Sequence, residues 1–329
     1  MESRPVDPDA IAHAVDVLRH GGLVAMPTET VYGLAADASN EAAVRAIFAA
    51  KGRPADHPVI VHIANAGAMH RWAVDVPAAA EALAAAFWPG PLTLVLKRGP
   101  AVSDLITGGQ DTVGLRCPAH PWAQALLKAF GGGVAAPSAN RFGRISPTSA
   151  QHVVQDLGLK PGGAVDMVLD GGACPVGIES TIIDLSGPTL RLLRPGAVTR
   201  QQLEDVLGVP VEDGTAGAPR VPGALEKHYA PRTPLELVPV GRVAERVAAS
   251  APLAVAVLSP DWAVRAASNL RLHLLAADRP SEYARTLYDN LRRLDASGAA
   301  HLIIAEPPDG PDWEAVRDRL KRASAGSAA

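Results

Sequence analysis

The chain has 329 residues, 48% of them hydrophobic and 20% charged, with a formal net charge of −3. That balance excludes a disordered chain and a whole-molecule basic field for gripping nucleic acid, leaving only a local basic cleft open. With 30 glycines and 29 prolines a long-helix bundle is excluded too, and two cysteines without a C-x-x-C pair give neither a zinc signature nor a disulfide framework.

The opening MESRPVDPDA has no basic segment followed by an apolar one, so no secretory leader is expected. Pro8 to His20 has helical spacing and stops at Gly21-Gly22, and Leu23 to Ala25 follows as a strand. Next comes MPTETVYGLAAD, Met26 to Asp37, which crowds two threonines, a glutamate and a tyrosine where a buried strand should end. Asn40 is placed to cap a helix running to about Ala50, stopped by Gly52 and Pro54. Pro58 to Ile63 is a strand and Ala78 to Phe87 a helix; the Ala-rich stretch up to Trp88 is too short to span a bilayer. WPGPLTLVLKR turns into another strand, and TVGLRCP and GGVAAPSAN are short strands that end in polar residues. Ser146-Pro147 carries the cap-then-proline signature of a helix start, closed by Gly158. MVLDGG, STIIDLS and LRLLRPG complete the strands of an α/β or α+β sheet domain.

Val211 to Pro234 is dense in Gly, Pro and Ala without a period, and is expected to be a linker, although its centre, EKHYAP, is chemically specific. Beyond it, strands and helices alternate in a Rossmann-like way without a G-x-G-x-x-G, so no dinucleotide site is expected. The closing ASAGSAA is expected to fray. The expected organisation is therefore a catalytic domain over residues 1–210, a linker over 211–234 and a smaller α/β domain over 235–329.

Walker A, H-E-x-x-H and G-x-S-x-G patterns are all missing from the sequence. What stands out is a set of strand ends and loops with compact polar clusters. Lys51, Arg53 and His57 fit two roles, cations complementing a helix C-terminus or groups held out towards an anion. His62 lies in an apolar strand, where a satisfied core histidine is the ordinary outcome. Thr112 precedes a strand that Arg116 closes, and a buried arginine must find an anion. Ser138, Asn140 and Ser146 share one segment; Ser146 is placed to cap a helix, a position that also suits phosphate. Ser180 and Thr181 begin a strand, and Arg194 ends another. Four cations at loop junctions together imply one cleft for several negative charges, such as a nucleoside triphosphate.

PTETVYGLAADA, KGRPADHPVIVHI, FWPGPLTLVL, VGLRCP, APSANRFGRISPT and GIESTIIDL resemble, in order and spacing, the YrdC-like L-threonylcarbamoyladenylate synthases over residues 8–205, and the HYAP segment with the region after it resembles their long, two-domain form. The resemblance implies a twisted mixed sheet with a deep basic concavity. It also implies synthesis of threonylcarbamoyl-AMP and pyrophosphate from L-threonine, bicarbonate and ATP, the first step towards threonylcarbamoyladenosine in tRNA. On that basis Thr30, His62, Arg116, Ala136 and Ser180 hold the threonine portion. Lys51, Arg53, His57, Thr112, Ser138, Asn140, Ser146 and Arg194 line the ATP side, with Lys51 and Arg53 as the catalytic cations; the family often has asparagine where His57 stands. Tyr229 of HYAP reaches from the linker towards the ligand as a lid. Mg²⁺ accompanies ATP without fixed protein ligands, and no transition metal, flavin or nicotinamide is implied. The product passes to the tRNA threonylcarbamoyl transferase complex, tRNA itself is not bound strongly, and the setting is cytoplasmic. Two other readings use the same cleft: an RNA-binding module without catalysis, and a related carbamoyl or adenylyl transferase with another acceptor.

Overall fold

Short polar side chains set the first two helices. Asp7 accepts from Asp9 N and Ala10 N ahead of α1 (Pro8–Arg19), and Asn40 accepts from Ala42 N and Ala43 N ahead of α2 (Glu41–Lys51). Each cap satisfies amides that the first turn of a helix leaves open. Gly52 ends α2 at φ 63°, a left-handed conformation that costs glycine little. The computed structural model describes residues 4–214, 217–260, 264 and 267–327. By contacts these form two units, one of 1–142 and 146–224, the other of 143–145 and 225–329.

In the first unit the strands are β1 (Val24–Met26), β2 (Gly33–Asp37), β3 (Val61–His62), β4 (Leu92–Lys97), β5 (Thr112–Arg116), β6 (Val134–Ala135), β7 (Met167–Val168), β8 (Thr181–Asp184), β9 (Arg191–Arg194) and β10 (Glu212–Asp213). They make one mixed sheet in the order β10-β9-β8-β4-β5-β3-β6-β2-β1-β7. Its helices beyond α2 are α3 (Ala78–Phe87), α4 (Asp104–Thr107), α5 (Pro121–Phe130), α6 (Ala150–Leu157) and α7 (Arg200–Leu207). The period-2 alternation of strands then divides the labour between the sheet's faces. Leu92, Leu94 and Leu96 of β4, Val113 and Leu115 of β5 and Ile183 of β8 enter the main core. Thr93 and Val95, Thr112 and Gly114, and Ile182 line the opposite face together with Ile60.

Several boundaries differ from the sequence expectation. The strand expected over Pro58 to Ile63 narrows to β3, while GLAAD, within the polar-crowded stretch, pairs as β2 with β1 in antiparallel register. Within the expected linker, Glu212 and Asp213 pair with β9, and the stretch from Val221 to Ala224 stays with the first unit. Val221 is buried against Ile60, Val95 and Ile182, so apolar burial holds this segment on the sheet.

Among its described residues the second unit has four parallel strands, β11 (Leu235–Val238), β12 (Val255–Ser259), β13 (Leu270–Leu275) and β14 (His301–Ala305), in the order β11-β14-β12-β13. With them are α8 (Val243–Ala249), α9 (Pro280–Asp295) and α10 (Glu314–Ser327). Where fraying was expected from Ala323, α10 continues to Ser327; Ala328 and Ala329 lie outside the described residues. Among the described residues no helix is long and apolar enough to cross a membrane.

Tyr229, expected to act as a lid, packs within the second unit. Its ring is buried in the second unit, stacked 5.7 Å from Tyr288 and edge-on to His228 at 4.2 Å, with the Arg319 guanidinium 5.3 Å from its centre. Its φ of 60° turns the chain at that point. Burial and cation–π attraction hold the side chain among these neighbours of its own unit.

Candidate active site

The end of α2 and the loop after β6 interlock. Lys51 Nζ donates to Ser138 O at 2.6 Å and to Asn140 O at 2.7 Å, and Phe142 N returns a bond to Lys51 O at 2.9 Å. Burial and the neighbouring Arg53 charge hold the Lys51 amine well below its ordinary pKa. Arg53 Nη2 donates to Pro58 O at 2.7 Å, and its guanidinium lies 5.6 Å from the Phe142 ring centre. His57 packs 5.3 Å from the same ring, its pKa lowered by burial and then by Arg53. Lys51, Arg53, His57, Ser138 and Asn140 therefore form one cluster, although they come from motifs nearly ninety residues apart.

The first polar-crowded loop has a fixed proton order. Thr28 Oγ1 lies 2.6 Å from Val31 O, which has no proton to give, so Thr28 is the donor. The Thr30 hydroxyl, 2.9 Å away, must then donate to Thr28 Oγ1, and Thr30 Oγ1 remains an acceptor. Gly33 lets the loop run close to the next segment, since a Cβ there would lie 3.1 Å from Ala136 Cβ. Glu29 turns back to accept from Arg116 Nη2 at 2.6 Å and from Ala119 N at 2.9 Å.

Arg116 and His62 sit in register on adjacent parallel strands, β5 and β3. Burial and the Arg116 charge push His62 down to about 3, so its ring is neutral near pH 7. Ala136 N donates to Ile60 O at 3.1 Å, which places Ala136 beside the same strand. The stability consequence of His62 has a definite sign. Its folded pKa is depressed, so the unfolded chain takes up the proton first as pH falls. The stability present above about pH 6.5 is lost between pH 6.5 and about 3, at roughly 1.4 kcal/mol per pH unit. Urea unfolding of the wild type and His62→Gln at pH 6.5 and 4.5 checks this. The variant should lose visibly less on acidification, and equal losses would contradict the account.

Ser180 joins the two expected halves of the site. Its hydroxyl is 2.7 Å from Thr93 Oγ1 and accepts from Arg194 Nη2 at 3.1 Å, while its carbonyl accepts from Arg194 Nε at 3.0 Å. Arg194 Nη1 also donates to Pro222 O at 2.7 Å. Thr112 lies four residues before Arg116 along β5, about 13 Å of strand, on the Thr93 and Arg194 side of this centre. It lines a narrow gap with Thr93, Gly114 and Pro222.

Ser146 does not cap a helix: Ser149 caps α6, and Ser146 Oγ donates to Glu179 Oε1 at 2.5 Å. A carboxylate oxygen is a strong acceptor for a hydroxyl proton. Thr28, Glu29, Thr93 and Glu179 are the polar groups of this centre that sequence reasoning left without a settled place. The alternation in LTLVL was the available signal for Thr93, and the residue before Ser180 in GIES was the signal for Glu179.

A mixed sheet with a cation-lined, largely buried centre at its loops, followed in the chain by a parallel α/β unit, defines a two-domain protein suited to an anionic ligand. The chain belongs to the Sua5/YciO/YrdC family, whose model, described as "Telomere recombination", matches residues 16–196. A second model, described as "Threonylcarbamoyl-AMP synthase, C-terminal domain", matches residues 198–325. Similar proteins include the threonylcarbamoyl-AMP synthase of Pyrococcus abyssi, 39% identical over 94% of this chain and 93% of the relative. That of Bacillus subtilis is 38% identical over 96% of this chain and 93% of its own length. The crystal structure of P. abyssi Sua5 complexed with L-threonine superposes with a TM-score of 0.89 at 37% identity, covering 98% of this chain and 96% of that one.

Proposed function

We propose that this chain is an L-threonylcarbamoyladenylate synthase, which joins L-threonine, bicarbonate and ATP into threonylcarbamoyl-AMP with release of pyrophosphate. The observation that carries the reading is likeness along nearly the whole chain to synthases of that name, together with a superposed relative that holds L-threonine. In this reading Thr30, His62, Arg116, Ala136 and Ser180 surround the amino acid. Lys51, Arg53, His57, Ser138, Asn140 and Arg194 face the triphosphate, with Thr112 and Ser146 at the edge of that side. Mg²⁺ arrives with ATP as part of the substrate. Neither the RNA-binding reading nor another acceptor has an observation of its own in its favour.

The chemistry needs positioning and charge neutralisation more than a covalent nucleophile. The threonine amine and bicarbonate give a carbamate and water. A carbamate oxygen then bonds to the α-phosphorus as the bond to the pyrophosphate oxygen breaks. Arg53, just past the Gly52 cap, supplies fixed positive charge where that oxygen departs, and Lys51 beside it fixes the Ser138–Asn140 loop at that place. Neutral His62 can lie beside an amine without repelling it. The adenylate then passes to the tRNA-modifying machinery.

Ligand-dependent stability tests the reading, because a ligand that binds only the folded state raises the melting temperature. MgATP and L-threonine should each raise it, and a shift with MgATP but none with millimolar L-threonine would contradict the assignment.

A further inference from the structure

We propose that Glu29 is a positioning residue for the amino-acid site: it holds the Arg116 guanidinium by one nitrogen and presents the remaining N–H groups to the substrate carboxylate. The proposal rests on the synthase reading given above.

The argument starts from the donors and acceptors. Glu29 and Arg116 are both buried, with side chains 7% and 5% exposed. An arginine–carboxylate pair left to itself is commonly bidentate, two parallel N–H···O bonds that consume one whole edge of the guanidinium. Here the pair is monodentate. Oε1 takes Arg116 Nη2 at 2.6 Å, and Oε2 is occupied by Ala119 N at 2.9 Å. Arg116 Nε points to Gly90 O at a long 3.4 Å, and among the described residues Nη1 has no protein acceptor. Nη1 and the second proton of Nη2 are thus the donors left for a ligand.

Glu29 is held independently of its side chain, since its main-chain oxygen accepts from Val176 N at 2.8 Å. It therefore acts as a fixed arm from the β1–β2 loop to the end of β5. Both carboxylate oxygens accept from donors, so an amide at this position would set an NH₂ group against either Arg116 or Ala119 N. The negative charge matters as well. Arg116 lies next to neutral His62, and Glu29 balances the guanidinium so that it can stay ionised while buried. The pair has no net charge and so does not oppose a zwitterionic amino acid. A monocarboxylate with a free α-amine is the substrate class this arrangement takes.

The test is steady-state pyrophosphate release by the full chain and by Glu29→Gln, varying L-threonine and ATP separately. Glu29→Gln should raise KM for L-threonine about tenfold or more, with KM for ATP within about twofold. With L-threoninamide, which lacks the carboxylate, wild type and variant should give equal KM values. Glu29→Asp keeps the charge on a shorter arm and should recover part of the loss; if Glu29→Gln does not fold, Glu29→Asp carries the same prediction against wild type. An unchanged KM for L-threonine, equal rises in both KM values, or the same penalty with L-threoninamide would overturn the proposal. Pyrophosphate release by the wild type that ignores L-threonine would overturn the synthase reading and this proposal together; a threonine-dependent wild type beside an unaltered variant would overturn the proposal alone.

Discussion

Replacing Arg116 by methionine is expected to lower the unfolding free energy by about 3–5 kcal/mol, because it strands the buried Glu29 carboxylate. Methionine preserves most of the apolar stem, so the loss is electrostatic rather than a packing defect. The carboxylate keeps its bond from Ala119 N but loses its only ion-pair partner at 2.6 Å among the described residues. The double variant Glu29→Gln/Arg116→Met removes both charges and should be more stable than Arg116→Met alone, since the penalty belongs to the uncompensated charge. Urea denaturation of the wild type, both single variants and the double variant measures this coupling. Additive losses across the four proteins would show that the pair is not coupled.

The second large effect is on rate. Lys51→Met is expected to cut adenylate formation by about a hundredfold or more, the scale of losing a fixed electrostatic contact on a transferring group. Two consequences combine. The amine disappears from beside Arg53, and the carbonyls of Ser138 and Asn140 lose donors at 2.6 and 2.7 Å, which loosens the loop. Lys51→Arg should not restore activity, because a planar guanidinium cannot occupy the place of a compact ammionium held between two carbonyls. Rapid-quench measurement of a single turnover isolates this step from product release. A Lys51→Met rate within about threefold of wild type would assign Lys51 to loop structure alone.

The sequence was most informative where the determining interactions are local. The Asp7 and Asn40 caps act over two or three residues, and the left-handed Gly52 follows directly from its place after a helix. Arg116 and Arg194 at strand ends were visible because a charge closing an apolar run needs a partner. The partners themselves were not visible. Glu29 lies 87 residues from Arg116, and Thr93 lies 87 from Ser180, so only the folded sheet brings them together. Ser146 shows the limit of a local rule: its hydroxyl donates to the distant Glu179, and Ser149 is the residue that caps α6. Tyr229 shows the same limit on a larger scale. Its neighbours Tyr288 and Arg319 are distant in the chain, and a Gly- and Pro-rich stretch gives no sign of which core it will enter. Composition alone also gave no sign, in the expected linker, of the strand pairing at Glu212 and Asp213 or of the burial of Val221 on the sheet.

The most direct test of the central claim is pyrophosphate release by the purified chain with MgATP, followed with and without L-threonine and bicarbonate, alongside detection of the adenylate. Release that requires both co-substrates, with threonylcarbamoyl-AMP appearing in equal amount, is the predicted result. Release that continues unchanged when L-threonine or bicarbonate is withheld would contradict it.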